Sequence, residues 1–488
     1  MEAAMGYIKG SHRRQGLLLP RTIDDYVADN NAVRAIAAFL ERLDFVKLGF
    51  VRAEAAATGR PGYDPRILMG LYLWGHLNGM CSSRKLAREC HRNLEVIWLC
   101  EQLHPDFKTL ADFRTGNAAG IKGVVVEFRR WCLAAGLYGK EMVAVDGSKF
   151  KAVNSKQRNY TREKLKKILA REQVKIAEYL AAMDAADAAE AEEEETELTA
   201  EQLKEKIASL DRYLAEHERL AEKLDESGES QISLTDPDAK LMKTAHGSEV
   251  SYNVQTVVDS KLKLLVTYEV TNEPSDHGQL AVMGQAAQQA LGVEQLTVLA
   301  DGGYYESKEL KECEEAGLIT YLPERESGAA KHYGVFANNH FHYDPARDLY
   351  LCPQGEEMRW QGLTEKKGKQ YKIYKTKACE GCPLRAQCTT SKSGRKLLRW
   401  VDQEVLERLQ ARNRGRPELL KLRKTLAEHP FGTIKGSMNQ GRFLLKGIHK
   451  VSIEFGLTVL SYNFKRVLNH LGVERMVNFI DHPELCAA

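Results

Sequence analysis

The chain has 488 residues, of which 43% are hydrophobic and 28% charged, and a mean hydropathy of −0.42. That length exceeds what one ordinary core buries, so roughly two to four domains are expected. Charged residues interrupt every long apolar run, which argues against a signal peptide or spanning helix and predicts a cytoplasmic protein. The net charge of +3 conceals a segregation: residues 176–229 carry 18 acidic and 5 basic side chains, leaving 65 Lys and Arg against 49 Asp and Glu elsewhere. Such a basic remainder suits a polyanionic partner. Ten cysteines in a long chain without a leader argue against a disulfide framework.

The N-terminal arm is basic, with His12, Arg13 and Arg14. Residues 22–138 read as helical. Asp64-Pro65 opens a run in which Ile67, Leu68, Leu71 and Trp74 recur at helical spacing. Ser82-Ser83 is placed to cap a helix carrying Arg84, Lys85, Arg88 and Arg92, and Thr109 to cap another. A longer helix passes through Val124, Phe128 and Trp131. Residues 1–138 are therefore read as an all-α DNA-binding domain, with Arg84 and Lys85 as DNA contacts.

Met142 to Val145 form a short apolar run, read as a buried strand that ends at Asp146, with Gly147 and Ser148 in a tight turn. A basic stretch follows, in which Lys149 is a candidate DNA contact. Residues 157–229 read as an inserted antiparallel helical hairpin. Leu165, Leu169, Ile176, Tyr179 and Met183 follow heptad spacing, as do Leu203, Ile207, Leu210, Leu214, Ala221 and Leu224, with Glu172 filling one place. Beyond it Tyr252, Val254, Thr256 and Val258 alternate as a strand, and Leu262 to Val270 returns across Asp259-Ser260-Lys261. A helix over 279–291, a strand from Leu296 to Ala300 ending at Asp301, a helix from about Ser307 and a strand from Leu318 to Leu322 complete the series.

That order matches a ribonuclease-H-like arrangement, a mixed sheet flanked by helices. The fold class is thus α/β: a ribonuclease-H-like core in 139–156 and 230–325, completed by C-terminal helices in 413–488. The all-α domain, the hairpin and a small cysteine-rich basic insertion at 326–412 are added to it.

Asp146 and Asp301 each follow an apolar strand and precede Gly. On neighbouring strands their carboxylates would converge, as phosphodiester chemistry requires of a site holding two divalent cations about 3.5–4 Å apart. A third acid is sought after Arg416-Pro417, where Glu428 is the leading candidate. Glu418 and Glu454 are rivals, because Pro430 is expected to kink or end the helix at His429. Glu428 and Lys435 lie seven residues apart and can face one way, with Lys435 set to contact a phosphate.

Several stretches carry a family likeness: Thr58-Gly-Arg-Pro-Gly-Tyr-Asp-Pro65, Lys108-Thr-Leu-Ala-Asp-Phe-Arg114, Val145-Asp-Gly-Ser-Lys-Phe150, Tyr252-Asn-Val-Gln-Thr256, Ala300-Asp-Gly-Gly-Tyr-Tyr305 and Glu428-His-Pro-Phe-Gly-Thr-Ile-Lys435. Over nearly its whole length the chain resembles bacterial insertion-sequence transposases of the DDE class, the cut-and-paste kind with a ribonuclease-H-like core. The resemblance implies that Asp146, Asp301 and Glu428 are a catalytic triad binding two Mg2+ ions, with Mn2+ as a substitute. It also implies cleavage at the terminal inverted repeats, strand transfer into target DNA, and a homodimer or higher assembly on double-stranded DNA. In the wider superfamily the third acid sits in a Tyr-x2-Arg-x3-Glu-x6-Lys signature. Here Lys421 and Lys424 occupy its first two positions and Arg423 lies one residue from the expected Arg, so Lys424 would keep the charge without the bidentate fork. The competing readings are a ribonuclease-H-like nuclease without strand transfer and an inactive DNA-binding regulator.

Cys379-Glu-Gly-Cys382 has a spacing that lets two thiolates grip one zinc ion, and Cys352 and Cys388 can complete a tetrahedral shell. His340 and His342 are substitutes for one thiolate, and redox pairing is the competing chemistry. Around the cluster Lys366, Lys367, Lys369, Lys372, Lys375, Lys377, Lys392, Arg395 and Lys396 alternate with Trp360, Tyr371 and Tyr374, a composition that can follow a DNA backbone.

Overall fold

A computed structural model describes residues 21–54, 61–191, 200–244, 247–323, 335–366 and 368–481. The basic arm with His12, Arg13 and Arg14, part of the Thr58 motif, most of the acidic hairpin tip, Lys367 and Cys486 lie outside them. Six helices come first: α1 (Ala32–Glu41), α2 (Pro65–Leu77), α3 (Ser83–Glu89), α4 (Leu94–Leu99), α5 (Phe107–Gly116) and α6 (Ala118–Ala134). Asp64 caps α2 by accepting the Arg66 N–H at 2.8 Å, and Pro65 opens the helix with its φ already set. Every residue from Ile67 to His76 is buried, so α2 is a central helix without a wet face. Thr109 does not cap α5. Asp106 does so, accepting from Lys108 N and Thr109 N, which leaves Thr109 inside the helix.

The principal sheet contains β1 (Met142–Lys151), β4 (Lys240–Thr244), β5 (Gly247–Asp259), β6 (Leu265–Thr271), β7 (Leu296–Leu299) and β8 (Leu318–Tyr321). Between β1 and β4 lie β2 (Asn159–Thr161), the hairpin helices α7 (Arg162–Ala191) and α8 (Ala200–Ser227), and β3 (Gln231–Ser233), with β2 and β3 pairing at the hairpin root. Helices α9 (Leu280–Leu291) and α10 (Ser307–Glu315) precede β7 and β8. Strand β5 pairs with β4 and β6 along one side and with β1 on the other. Strand β1 is antiparallel to β5 and parallel to β7, which is parallel to β8.

Two sequence expectations change here. Strand β1 does not stop at Asp146: it pairs with β5 from Val143↔Asp259 to Lys151↔Ser251, so Gly147 and Ser148 are strand residues and not a turn. Its parallel pairing with β7 does stop, at Ala144↔Leu299, and Asp146 lies two residues beyond. Nor does β5 alternate between core and solvent. Every residue from Val250 to Asp259 is buried, because the strand is central and covered on both faces.

The hairpin follows its heptads. Leu165, Leu220 and Leu224 form its root core, and Glu172 is buried at its position with Arg171 and Lys175 on its carboxylate. A second sheet, all antiparallel, runs β13-β12-β11-β10-β9, from β9 (His342–Asp344), β10 (Leu349–Leu351), β11 (Glu357–Lys366), β12 (Lys369–Lys375) and β13 (Leu397–Trp400). A one-turn helix, α11 (Arg385–Cys388), sits before β13.

The chain ends in α12 (Gln403–Gly415), α13 (Pro417–Lys435), α14 (Ile448–Leu471) and α15 (Val473–Asp481). Helix α14 packs on α2 and α6, and α15 on α1, so the two ends of the chain share one hydrophobic cluster with Val143, Val145 and Val257. Contrary to the expected break, α13 runs on through Pro430. That residue is buried with Leu426, Ala427, Phe431 and Ile434, and this packing offsets the lost backbone bond. No helix among the described residues is long and apolar enough to cross a membrane.

Candidate active site

Side chains alternate along β1, so Ala144, Asp146, Ser148 and Phe150 share one face. Helix α13 lies over that face. Ala144 packs with Leu426 and Ala427, Phe150 lies 6.1 Å from Phe431 ring to ring, and Ser148 receives Lys435. Asp146 is therefore roofed by α13 and only 17% exposed. Its Oδ1 accepts the Gly147 N–H at 2.9 Å, and its Oδ2 stands 3.8 Å from an Arg423 guanidinium nitrogen. Asp301 lies two residues past the end of β7, and its Oδ1 accepts the Gly303 N–H at 2.7 Å. Burial pushes the Asp146 carboxyl up to about 6; Arg423 opposes the shift, and the charges of Asp301 and Asp276 add to it. The two aspartates are thus close enough to feel one another's charge, each lying just beyond the parallel pairing of β1 with β7.

This has a consequence for stability. The folded, metal-free chain holds a proton on Asp146 between about pH 4 and 6 that the unfolded chain has released. Stability therefore falls as pH rises through that window and stays reduced above it. Asp146→Asn is expected to stabilise the metal-free protein at pH 7 by about 2 kcal/mol, and to give no gain below about pH 4. Denaturant titrations at the two pH values check this; equal gains at both would reject it.

Glu428 sits on α13 between Ala427, which packs with Ala144, and Phe431, which packs near Phe150. Its side chain is exposed. The rivals are engaged elsewhere. Glu418 pairs with Arg416 at the start of α13, and buried Glu454 accepts the N–H groups of Leu444 and Leu445. Lys424 is exposed, and its neighbour Arg423 is the basic residue that faces Asp146. Lys435 donates to Ser148 Oγ at 2.6 Å and to the Lys149 carbonyl at 2.8 Å, over the Phe150 ring. Its ammonium is held below the usual lysine range, chiefly by burial and then by Lys149.

A residue not anticipated from sequence joins this group. Asp276, between β6 and α9, accepts Asn253 Nδ2 at 2.8 Å and Gln255 Nε2 at 2.7 Å, with Lys149 Nζ at 3.4 Å. Two polar residues in the middle of the Tyr252-Asn-Val-Gln-Thr256 strand were the available signal. Both are fully buried, and buried amides need partners. Lys149 is consequently an ion-paired residue, 17% exposed.

Two family models match the chain: a transposase DDE domain over residues 351–468 and a transposase domain (DUF772) over residues 21–116. The chain is an insertion-sequence transposase of the DDE class. The first match spans Glu428, Lys435 and the cysteine cluster, and the second spans Arg84 and Lys85. Asp146 and Asp301 lie outside both. No curated protein and no solved structure matches the transposase.

In its second sheet, Cys352, Cys379, Cys382 and Cys388 line one cavity of about 150 Å³, together with Phe336, Phe341 and Met358. Burial raises the Cys388 thiol; Arg395 opposes this, and the charges of the other three cysteines reinforce it. Gly394, at φ +80°, closes against this group: a Cβ there would lie 2.8 Å from Cys379 Cβ and 3.2 Å from its Sγ. His340 and His342 are exposed and do not line the cavity. Among the described residues no group of three or more His, Cys, Asp or Glu side chains is placed to hold a metal ion, neither these four cysteines nor Asp146, Asp301 and Glu428.

Much of the expected basic and aromatic face is committed internally. Lys369 binds Ser307, Lys372 binds Asp348, Arg395 holds the Cys388 and Phe336 carbonyls, and Tyr374 is buried. Trp360 and Leu363 remain exposed on β11. In the transposase's N-terminal region, Arg84 and Lys85 are exposed on α3, and the Arg84 guanidinium lies 5.2 Å from the Phe107 ring centre.

Proposed function

We propose that the transposase binds the terminal inverted repeats of its insertion sequence, cleaves DNA at the element ends with Mg2+, and transfers the freed 3′-hydroxyl to target DNA. One observation carries this reading: Asp146 on β1 and Asp301 just past the end of its parallel neighbour β7 are near enough for their charges to interact, and the helix that bears Glu428 packs on Ala144 and Leu299 of those two strands. The order β6-β5-β1-β7-β8, with its first two neighbours antiparallel and the rest parallel, supports a ribonuclease-H-like core.

Asp146, Asp301 and Glu428 are the residues that would hold two Mg2+ ions, or Mn2+ in their place. Mutually repelling carboxylates, one of them raised to about 6 against the opposing charge of Arg423, have the donor chemistry a divalent cation needs. When bound, the ions supply activation of the attacking oxygen and charge neutralisation at the scissile phosphate. Arg423, 3.8 Å from Asp146, would supply a cation for a phosphate oxygen of the substrate. Lys435 fixes α13 to β1, which sets the height of Glu428 above Asp146.

Arg84 and Lys85, with Lys424 on the exposed side of α13, are the proposed DNA contacts; Lys149 serves the site through Asp276. Joining two ends in one reaction calls for a homodimer or higher assembly on double-stranded DNA, and the helical hairpin over 157–229 is the proposed contact with flanking DNA or a second copy. Cys352, Cys379, Cys382 and Cys388, which line one cavity, are proposed to hold a structural Zn2+.

The reading is tested by incubating the protein with DNA carrying the element's ends, target DNA and Mg2+. Cleaved ends joined to target are expected. Nicks without joining would point to a nuclease, and binding without either to a regulator.

A further inference from the structure

Asp276 belongs to no expected triad, yet it ties together three segments that carry the proposed site. On β5 it takes the amide hydrogens of Asn253 and Gln255, which pair across the sheet with Lys149 and Gly147. On β1 it meets the Lys149 ammonium, and its Oδ1 lies only 2.6 Å from where a Cβ on Gly147 would be. Gly147 adjoins Asp146, so the carboxylate reaches the β1 backbone there because that residue has no side chain. The third link is indirect: Gln255 Oε1 accepts the hydroxyl of Tyr304, three residues after Asp301 and fully buried.

We propose that Asp276 is a positioning residue which, through Gln255, Gly147 and Tyr304, holds Asp146 and Asp301 at one spacing and so sets the metal affinity of the site. The inference rests on the reading of Asp146 and Asp301 given above. Oδ1 serves three donors, Asn253 Nδ2, Gln255 Nε2 and Lys149 Nζ, and the proposed action of the carboxylate runs through these neighbours. Asn253, Gln255 and Tyr304 are fully buried and Asp276 is only 27% exposed, so this hydrogen-bonded chain has few alternative arrangements and holds its ends rigidly.

The test compares Asp276→Ala, Asp276→Asn and Tyr304→Phe in Mg2+ titrations of end cleavage, with end binding measured separately. Asp276→Ala is expected to raise the Mg2+ concentration for half-maximal cleavage by about 10- to 100-fold, as loss of a supporting partner typically does. End binding should stay within about 2-fold, since no DNA contact is lost. Asp276→Asn keeps an acceptor at Oδ1 and should recover most of the loss. Tyr304→Phe leaves Asp276 in place and should shift the Mg2+ requirement in the same direction by a smaller factor.

An unchanged Mg2+ dependence in Asp276→Ala would overturn the inference. If that variant fails to fold, an unchanged dependence in Tyr304→Phe would overturn it instead. Asp276→Asn as inactive as Asp301→Asn would also overturn it, by making Asp276 a ligand. Cleavage by Asp301→Asn itself would defeat the underlying reading, an outcome distinct from all of these.

Discussion

Asp301→Asn is expected to reduce end cleavage and joining by about 1,000-fold or more while leaving end binding intact. The amide keeps an oxygen that can accept the Gly303 N–H, so the turn after β7 should retain its shape. What disappears is the negative charge, and with it one of the groups that would hold a divalent cation against the substrate. Relief of the repulsion on Asp146 argues against any loss of folding. Glu428→Gln should behave in the same way, because its exposed side chain has no structural bond to lose among those described. Glu418→Gln, at the far end of α13, should leave cleavage unchanged. A gel-based cleavage assay read beside a mobility-shift assay separates chemistry from binding. An active Asp301→Asn would remove that residue from the site.

The second large effect concerns the cysteines. Among the described residues the outer sheet has a buried core of Phe341, Met358, Tyr374, Cys388 and Leu397, with the partly buried Phe336, Tyr343, Tyr350 and Cys352 packed against it. So small an apolar core rarely sustains five strands without a staple. Protein purified without added metal is therefore expected to contain about one Zn2+ per chain. Chelation or Cys382→Ser should destabilise residues 335–400 by about 3 kcal/mol or more, seen as proteolytic nicking confined to that region. A zinc content near zero by elemental analysis, with the region still protected, would contradict the assignment.

Features governed by local chemistry were legible in the residues. The Asp64-Pro65 start of α2, the hairpin heptads with Glu172 among them, and the turn joining β5 to β6 all depend on neighbours a few positions apart. Features governed by distant partners were not. Strand β1 outruns its apolar segment because β5 pairs with it along its whole length, and Pro430 stays helical because α13 is buried where it passes. Arg423 turns to Asp146 although the signature spacing pointed to Lys424, because the face of α13 over β1 decides which base is nearest. Asp276 sits in a loop without periodicity, and only the buried amides of Asn253 and Gln255 hinted at a partner.

The most direct test is to locate the metal. Crystals of the transposase bound to a pre-cleaved element end and soaked in Mn2+ should give two anomalous-scattering peaks among Asp146, Asp301 and Glu428. Peaks at other residues, or none with the DNA end seated in the site, would contradict the account.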